Sequence, residues 1–523
     1  MQQNKDGVHK LFKQFGLFSL TLALSSSLLS AGSFEDFKRS QAESFKKYKD
    51  ERDVAFNKFL KAQWKAYNAH KGVKVYEEPK PEKIPAAKPK EIEKVGPLVH
   101  IKVPKVVKKV QPMPMPKVEP KPVIQPKPKV VEKTIEQPKE KIIEKVIVIP
   151  TPEVEKPVEV VKKDINFDFF GTSVGFNISQ GLKDANFYPT NQTGIANYFD
   201  KVASSEYKGL IEDVQELQKE LSLNDWGVYL LVNELSKKVY SDNDNSKLLA
   251  WFIFNKLGYA VKVGLANKHV VLLHFADKII YSTPNYSFGK NKFYVVSNYA
   301  KGSVGRLYSY EQNYPGSDKP LDLSLDKLPS LAENLKSKEL GFKGLGDEFK
   351  VSINYNKNLI DFMGTYPQAD YETFFNAPLE DATFAQLAEA IKKHVDGKKM
   401  SEALNFVLHF VQKSFKYEMD NQQFGREKVM FAQETLYYDK SDCEDRAVLF
   451  SKLVKKLFGV NVVGVKYKDH MATALYIPMD GDYVKAGSKK FVLADPTYIN
   501  SSIGQSMPKY KPKKPESFIV VKK

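Results

Sequence analysis

Residues 73–163 constrain this chain more than any other feature. They hold 17 of the 29 prolines, one glycine and a single aromatic residue, Tyr76. Such a stretch cannot bury enough apolar surface to offset its chain entropy. It predicts a disordered linker between a short N-terminal arm and a long folded part. Runs such as PMPKVEPKPVIQPKPKVVEK favour extended polyproline II, about 3.1 Å per residue and on the order of 250 Å for the whole segment. The linker carries +8 of the chain's net charge of +17, whereas residues 164–523 account for only +3. A folded part so close to neutral is not a basic nucleic-acid clamp, and no nucleic-acid partner is expected. The surplus charge reads as a solvated spacer, or as a contact for acidic lipids or anionic envelope polymers.

The arm has two parts. In residues 1–32, Lys5, Lys10 and Lys13 precede the short apolar stretch FGLFSLTLALSSSLLSAG, which ends in small residues. This is the pattern of a secretory signal, and it predicts export to the periplasm or cell envelope. An uncleaved anchor is the alternative, through which the N-terminal segment would contact the membrane. Residues 33–72 show an eleven-residue repeat. Phe34, Phe45, Phe56 and Tyr67 form one row, and Phe37, Tyr48, Phe59 and His70 a second. Eleven residues are three turns, so both rows fall on one face of an amphipathic helix. That aromatic face predicts docking or self-association through residues 34–70, with a membrane surface as the other option. In composition alone, the linker resembles the Pro-Lys/Pro-Glu stretches of periplasm-spanning energy-coupling proteins.

From Asp164 the pattern becomes α+β. Strands are expected near 166–172, 259–265, 269–275, 278–283 and 292–297, and again at 460–467, 470–477 and 489–495. Helices are expected near 205–222, 226–239, 245–257, 383–395, 400–415 and 442–457. Two portions repeat each other. SDNDNSKLLAWFIFNKLGYAVKVGLANKHVVLLHF starts at Ser241, and SDCEDRAVLFSKLVKKLFGVNVVGVKYKDHMATALYI starts at Ser441. Each reads as a helix closed by glycine (Gly258, Gly459), a Val-rich strand, a turn and a strand that begins with His269 or His470. A duplicated helix-plus-sheet unit accounts for this; convergent patterning is the alternative. Residues 164–300 would be a degenerate copy in which Asn243 stands opposite Cys443, 301–382 a connecting α+β region, and 383–523 the catalytic unit.

The single cysteine excludes intramolecular disulfides and cysteine-rich zinc sites. No acidic or histidine cluster has convincing metal spacing, no phosphate loop is present, and no cofactor is expected. Cys443 lies in KSDCEDRAVLF at the first turn of a helix, where a thiolate is favoured, although three neighbouring acids oppose it. His470 starts a strand and Asp495 ends the next, so an antiparallel pair would bring them side by side. Cys443, His470 and Asp495 then suit the roles of nucleophile, base and orienting acid. His394 and His409 fall on amphipathic helices as core or surface residues.

The order Cys, His, Asp on helix, strand and strand resembles the transglutaminase-like superfamily, in its bacterial cysteine-proteinase-like branch. The resemblance covers roughly residues 400–505. It is carried by QQFGREKVMFAQETLYY, SDCEDRAVLF, YKDHMATALY and LADPTYINSSIG. It implies a papain/transglutaminase-like fold and acyl transfer through a thioester on Cys443; export with a long spacer suggests a protein or peptide of the envelope as substrate. Water as acceptor would give a protease or amidase, and an amine a transglutaminase. Lys468-Asp469 replaces the Pro-Gly turn usual before that histidine. Gln422, Gln423 and Gln433 are candidate oxyanion donors. The alternative is an envelope binding or scaffold protein with a vestigial triad.

Overall fold

The computed structural model describes residues 51–62, 64–74, 80, 83–106, 163–302 and 304–522. The chain divides into residues 1–55 and a compact unit from Phe56 to Lys523. In the first, residues 51–55 are helical; the signal-like segment and the first half of the eleven-residue repeat, through Tyr48, lie outside the described residues. Among the described residues no helix is long and apolar enough to cross a membrane.

In the compact unit, residues 56–60 are helical, but the helix expected through His70 ends there. The chain instead forms strand β1 (Lys65–Tyr67). Phe56 and Leu60 are buried, with Phe56 against Phe199, Trp251, Tyr310 and Tyr314. The aromatic row therefore finds its partner within the chain at this end, and Tyr67 serves a sheet edge. A hairpin, β2 (Ile165–Phe169) and β3 (Thr172–Phe176), follows. Helices α1 (Gln180–Lys183), α2 (Gln192–Ala203), α3 (Lys208–Glu220), α4 (Asp225–Tyr240) and α5 (Asp244–Lys256) come next.

The first main sheet contains β4 (Val261–Ala266), β5 (His269–Phe275), β6 (Asn285–Phe288), β7 (Asn291–Tyr294) and β8 (Leu307–Ser309). Its order is β1-β8-β4-β5-β7-β6, antiparallel throughout. The strand expected at 278–283 is absent. Ser282 sits at φ 52 and Pro284 offers no N–H, so pairing begins only at Asn285.

A ten-residue hairpin, β9 (Leu335–Gly344) and β10 (Asp347–Asn356), leads into α6 (Lys357–Gly364), α7 (Tyr371–Asn376), α8 (Asp381–Val395) and α9 (Met400–Ser414). Short β11 (Lys416–Tyr417) pairs in parallel with β12 (Lys440–Ser441), flanking α10 (Asp420–Gln423) and α11 (Ala432–Tyr437). Then α12 (Cys443–Phe458) ends on Gly459 in the left-handed region at φ 67, as a glycine C-cap allows. The second sheet holds β13 (Val462–Tyr467), β14 (His470–Leu475), β15 (Tyr483–Ala486), β16 (Lys489–Ala494) and β17 (Ser517–Val520).

Its order is β15-β16-β14-β13-β17, again antiparallel. Strand for strand this is the connectivity of β6-β7-β5-β4-β8, with α5 and α12 in corresponding places. Register agrees too: Ala266↔His269 and Val261↔His274 in one hairpin match Tyr467↔His470 and Val462↔Leu475 in the other. The main core runs without a break from Phe56 to Val521 and serves both sheets.

The linker departs from expectation. Residues 83–106 are not a free spacer but a strap laid along the part of the chain that carries α8, α9 and the second sheet. Val99 and Ile101 are buried while Leu98 and His100 face out, a strand-like alternation. Val99 N–H donates to Lys398 O, Gly397 N–H to Val99 O and Met400 N–H to Pro97 O. Ser401 Oγ accepts from Val95 N–H at 2.9 Å and donates to Val95 O at 3.0 Å. Proline content sets what a segment can bury by itself; it does not prevent docking on a core supplied by another element. Residues 107–162 lie outside the described residues.

Candidate active site

Antiparallel pairing of β14 with β16 sets Thr473 opposite Ala494. His470 at one strand's start and Asp495 beyond the other's end are thereby neighbours. His470 Nε2 faces Asp495 Oδ2 at 2.8 Å, with the two residues 1% and 3% exposed. Asp495 Oδ1 accepts from the N–H groups of Thr497 and Tyr498 at 2.9 and 3.2 Å. Gln412 Nε2 holds the Asp495 carbonyl at 3.0 Å. The carboxylate is thus fixed by its own turn, and it fixes the imidazole in turn. Tyr510 stacks on that ring at 4.5 Å between centroids, and Tyr467 lies parallel to it at 6.4 Å. With Nε2 engaged by Asp495, Nδ1 is the ring nitrogen left to serve a nucleophile.

Cys443 is the first residue of α12, as the sequence predicts, and is 1% exposed. Its N-cap is Asp442, whose N–H donates to Asp445 Oδ2 at 3.2 Å. Arg446, fully buried, donates to Ser441 Oγ, Gln412 O and Phe415 O and anchors the segment before the helix. The Cys443 thiol donates to Glu444 Oε2 at 3.1 Å, not to His470. His470 and Asp495 are therefore brought together as a pair, while the thiol in this state is turned to a carboxyl.

The first unit shows what the same topology does with other side chains. Asn243 is the N-cap of α5, the place of Asp442, so the counterpart of Cys443 is Asp244 rather than Asn243. Asp244 Oδ2 meets His269 Nδ1 at 3.2 Å, and Asp244 Oδ1 accepts from Val270 N–H. In that unit the first helical residue and the strand-opening histidine touch. His274 is instead packed between Tyr229 and Phe254, where burial pushes it down to about 3. His394 stacks on Phe406, and burial lowers His409 to about 4.

Around Cys443 lies a buried acidic cluster that the sequence indicated only in part. Asp420, Asp442, Glu444 and Asp445 are each at most 1% exposed. Into it reaches Lys80, 4% exposed, from the proline-rich region. Its ammonium pairs with Asp442 at 2.5 Å, with Glu427 at 3.1 Å, with Asp420 at 3.4 Å and with Glu444. Burial opposes the charge on Lys80, but Asp442, Glu444 and Asp420 outweigh it and hold its pKa well above the usual lysine range. Burial, then Glu444 and Asp442, push the Cys443 thiol well up, with Lys80 the opposing influence. Burial raises Glu444 to about 7. The thiol is neutral in this arrangement.

Of the three glutamines, Gln433 spends its amide N–H groups on Glu380 and Thr383, Gln422 is exposed, and Gln423 Oε1 is buried without a donor. Gln412 and Tyr510 had no local signal; both become visible only when α9 and the C-terminal segment fold over the strand ends. Three carboxyl groupings beside Cys443, such as Asp442, Cys443 and Glu444, have metal-ligating atoms within 4.8 Å of one another, but Lys80 supplies the cation there. No family model, curated protein or solved structure matches this chain.

Proposed function

We propose that this is an exported, cysteine-dependent acyl-transfer enzyme of the transglutaminase-like kind, acting on peptide or amide bonds of envelope proteins. The observation that carries the reading is the buried His470–Asp495 pair at 2.8 Å, built at the ends of adjacent strands in the unit whose helix opens with Cys443. The Asp244–His269 contact in the matching unit supports it, because that topology brings the first helical residue to the strand-opening histidine. On this reading residues 164–300 are a degenerate copy of the catalytic unit.

The chemistry requires the Cys443 thiol to leave Glu444 and give its proton to His470 Nδ1. The thiolate then attacks an amide carbonyl, the C–N bond breaks, and His470 returns the proton to the leaving amine. The resulting thioester is resolved by water or by an amine acceptor, with His470 as base. Asp495 stabilises the imidazolium and holds its orientation.

The test is iodoacetamide labelling of Cys443 across pH in the wild type, His470→Ala and Asp495→Asn, with a peptide amide added to trap the thioester for mass spectrometry. Expected are a thioester in the wild type and a roughly 10²–10⁴-fold slower turnover in either variant. A thiol that reacts identically in all three, with no thioester, refutes the reading. A second reading, a non-catalytic envelope scaffold, is favoured by the buried neutral thiol and its bond to Glu444. Unchanged envelope protein mass spectra between wild-type and Cys443→Ala cells would favour that scaffold.

A further inference from the structure

The acidic pocket beside Cys443 holds an occupant that acyl transfer does not use. Asp420, Asp442 and Glu444 converge on one ammonium, with Glu427 at the rim. That is more carboxyl groups than one ion pair needs, and any of them that ionises is costly to bury unless a cation is resident. The pocket also has unused capacity. Asp442 Oδ1 is fully buried and receives no hydrogen bond, and the hydroxyl of Tyr417 beside the cluster is buried without a partner. The occupant belongs to neither repeat unit: it comes from the proline-rich region that continues into the strap, where Ala87 N–H donates to Ile499 O four residues past Asp495. A lysine from the proline-rich region is thus seated in the acidic cluster, and the same region pairs with the chain just past Asp495.

We propose that Asp420, Asp442, Glu444 and Glu427 form a binding site for a primary alkylammonium group. Lys80 is its intramolecular occupant, and a lysine side chain presented by another proline-containing segment replaces it there. Three ammonium hydrogens match convergent carboxylate oxygens, and the seat already takes the compact ammonium and straight four-carbon stem of Lys80, which the broad guanidinium of arginine does not reproduce.

The site is tested in the full chain with Lys80→Ala and n-butylamine, which reproduces the lysine stem and head. The expected result is a saturable rise of a few degrees in melting temperature. Neither 1-butanol nor sodium chloride at matched ionic strength should produce it, the wild type should not show it, and Asp442→Asn placed on Lys80→Ala should abolish it. If Lys80→Ala does not fold unaided, n-butylammonium present during refolding should restore its native circular dichroism. No stabilisation and no rescue, an equal rise in the wild type, or stabilisation by calcium chloride in place of the amine would each overturn the proposal. The readout needs no thiol chemistry and should persist in Lys80→Ala/Cys443→Ala, so its failure leaves acyl transfer standing and the reverse also holds.

Discussion

At Cys443 two residue-scale effects compete, and their magnitudes decide the state of the thiol. The unpaired N–H groups at the start of α12 favour a thiolate. Burial together with Glu444 and Asp442 opposes it and wins. Glu444 is the member of this cluster that titrates near neutrality. Its unfolded carboxyl releases a proton near 4.5, while the folded one keeps it to about 7 because burial penalises the charge. Between those values the folded state binds more protons, so stability falls as pH rises from about 4.5 to about 7 and levels off above. The share of one such group is up to ~3 kcal/mol. Burial raises Asp420, Asp442 and Asp445 as well, so their linkage to stability has the same sign. Urea unfolding at pH 5 and pH 7.5 should therefore show a loss in the wild type and a smaller loss in Glu444→Gln. Equal losses in the two proteins would place the Glu444 titration elsewhere.

Arg446 makes the corresponding argument for elements, because it ties the start of α12 to the end of α9. Its guanidinium serves Ser441 Oγ at 3.1 Å, Gln412 O at 3.3 Å and Phe415 O at 2.8 Å, all buried. Arg446→Met keeps much of the volume and leaves three acceptors without donors. It should cost roughly 2–4 kcal/mol, read as a lower urea midpoint at unchanged slope; a loss below about 0.5 kcal/mol would mean that the acceptors find other donors. Elements of this kind were legible where local signals agree: α12 with its Gly459 cap, β13, β14 and β16, and through them the His470–Asp495 pair. The hairpin β9–β10 falls in the connecting region where no strand is expected, although Phe349, Val351, Ile353 and Tyr355 alternate inward along β10 with Lys350, Ser352 and Asn354 between them. The false strand at 278–283 is the opposite case, since IIY has β propensity but Pro284 and Ser282 prevent a ladder. Nothing local could have revealed that α9 supplies Gln412 to Asp495, because that contact spans 83 positions.

On the scale of the whole molecule, average composition gave the wrong answer for the strap and the right reason for it. A segment rich in proline and lysine forms no core of its own, yet Val99 and Ile101 complete a core that α8 and α9 already present. The binding is modest: two aliphatic side chains, a few backbone hydrogen bonds, the paired contacts of Ser401 with Val95, and the bonds of Ile101 N–H to Asp396 Oδ1 and of Lys392 Nζ to Ile101 O. Val99→Asp with Ile101→Asp should place two carboxylates at buried apolar positions and release the strap while sparing the folded units, even with Lys392 Nζ bonded to the Ile101 carbonyl nearby. Limited trypsin digestion followed by mass spectrometry then discriminates. Cleavage at Lys94 and Lys102 should accelerate at least ~10-fold, since each 1.4 kcal/mol of lost docking multiplies the open population by ten and cleavage follows that population when reclosing is fast. If cleavage is unchanged, the strap is held by contacts other than these two side chains. If the units beyond Lys163 melt along with it, docking and folding are one cooperative event, and the strap is part of the fold rather than a segment that fastens and releases.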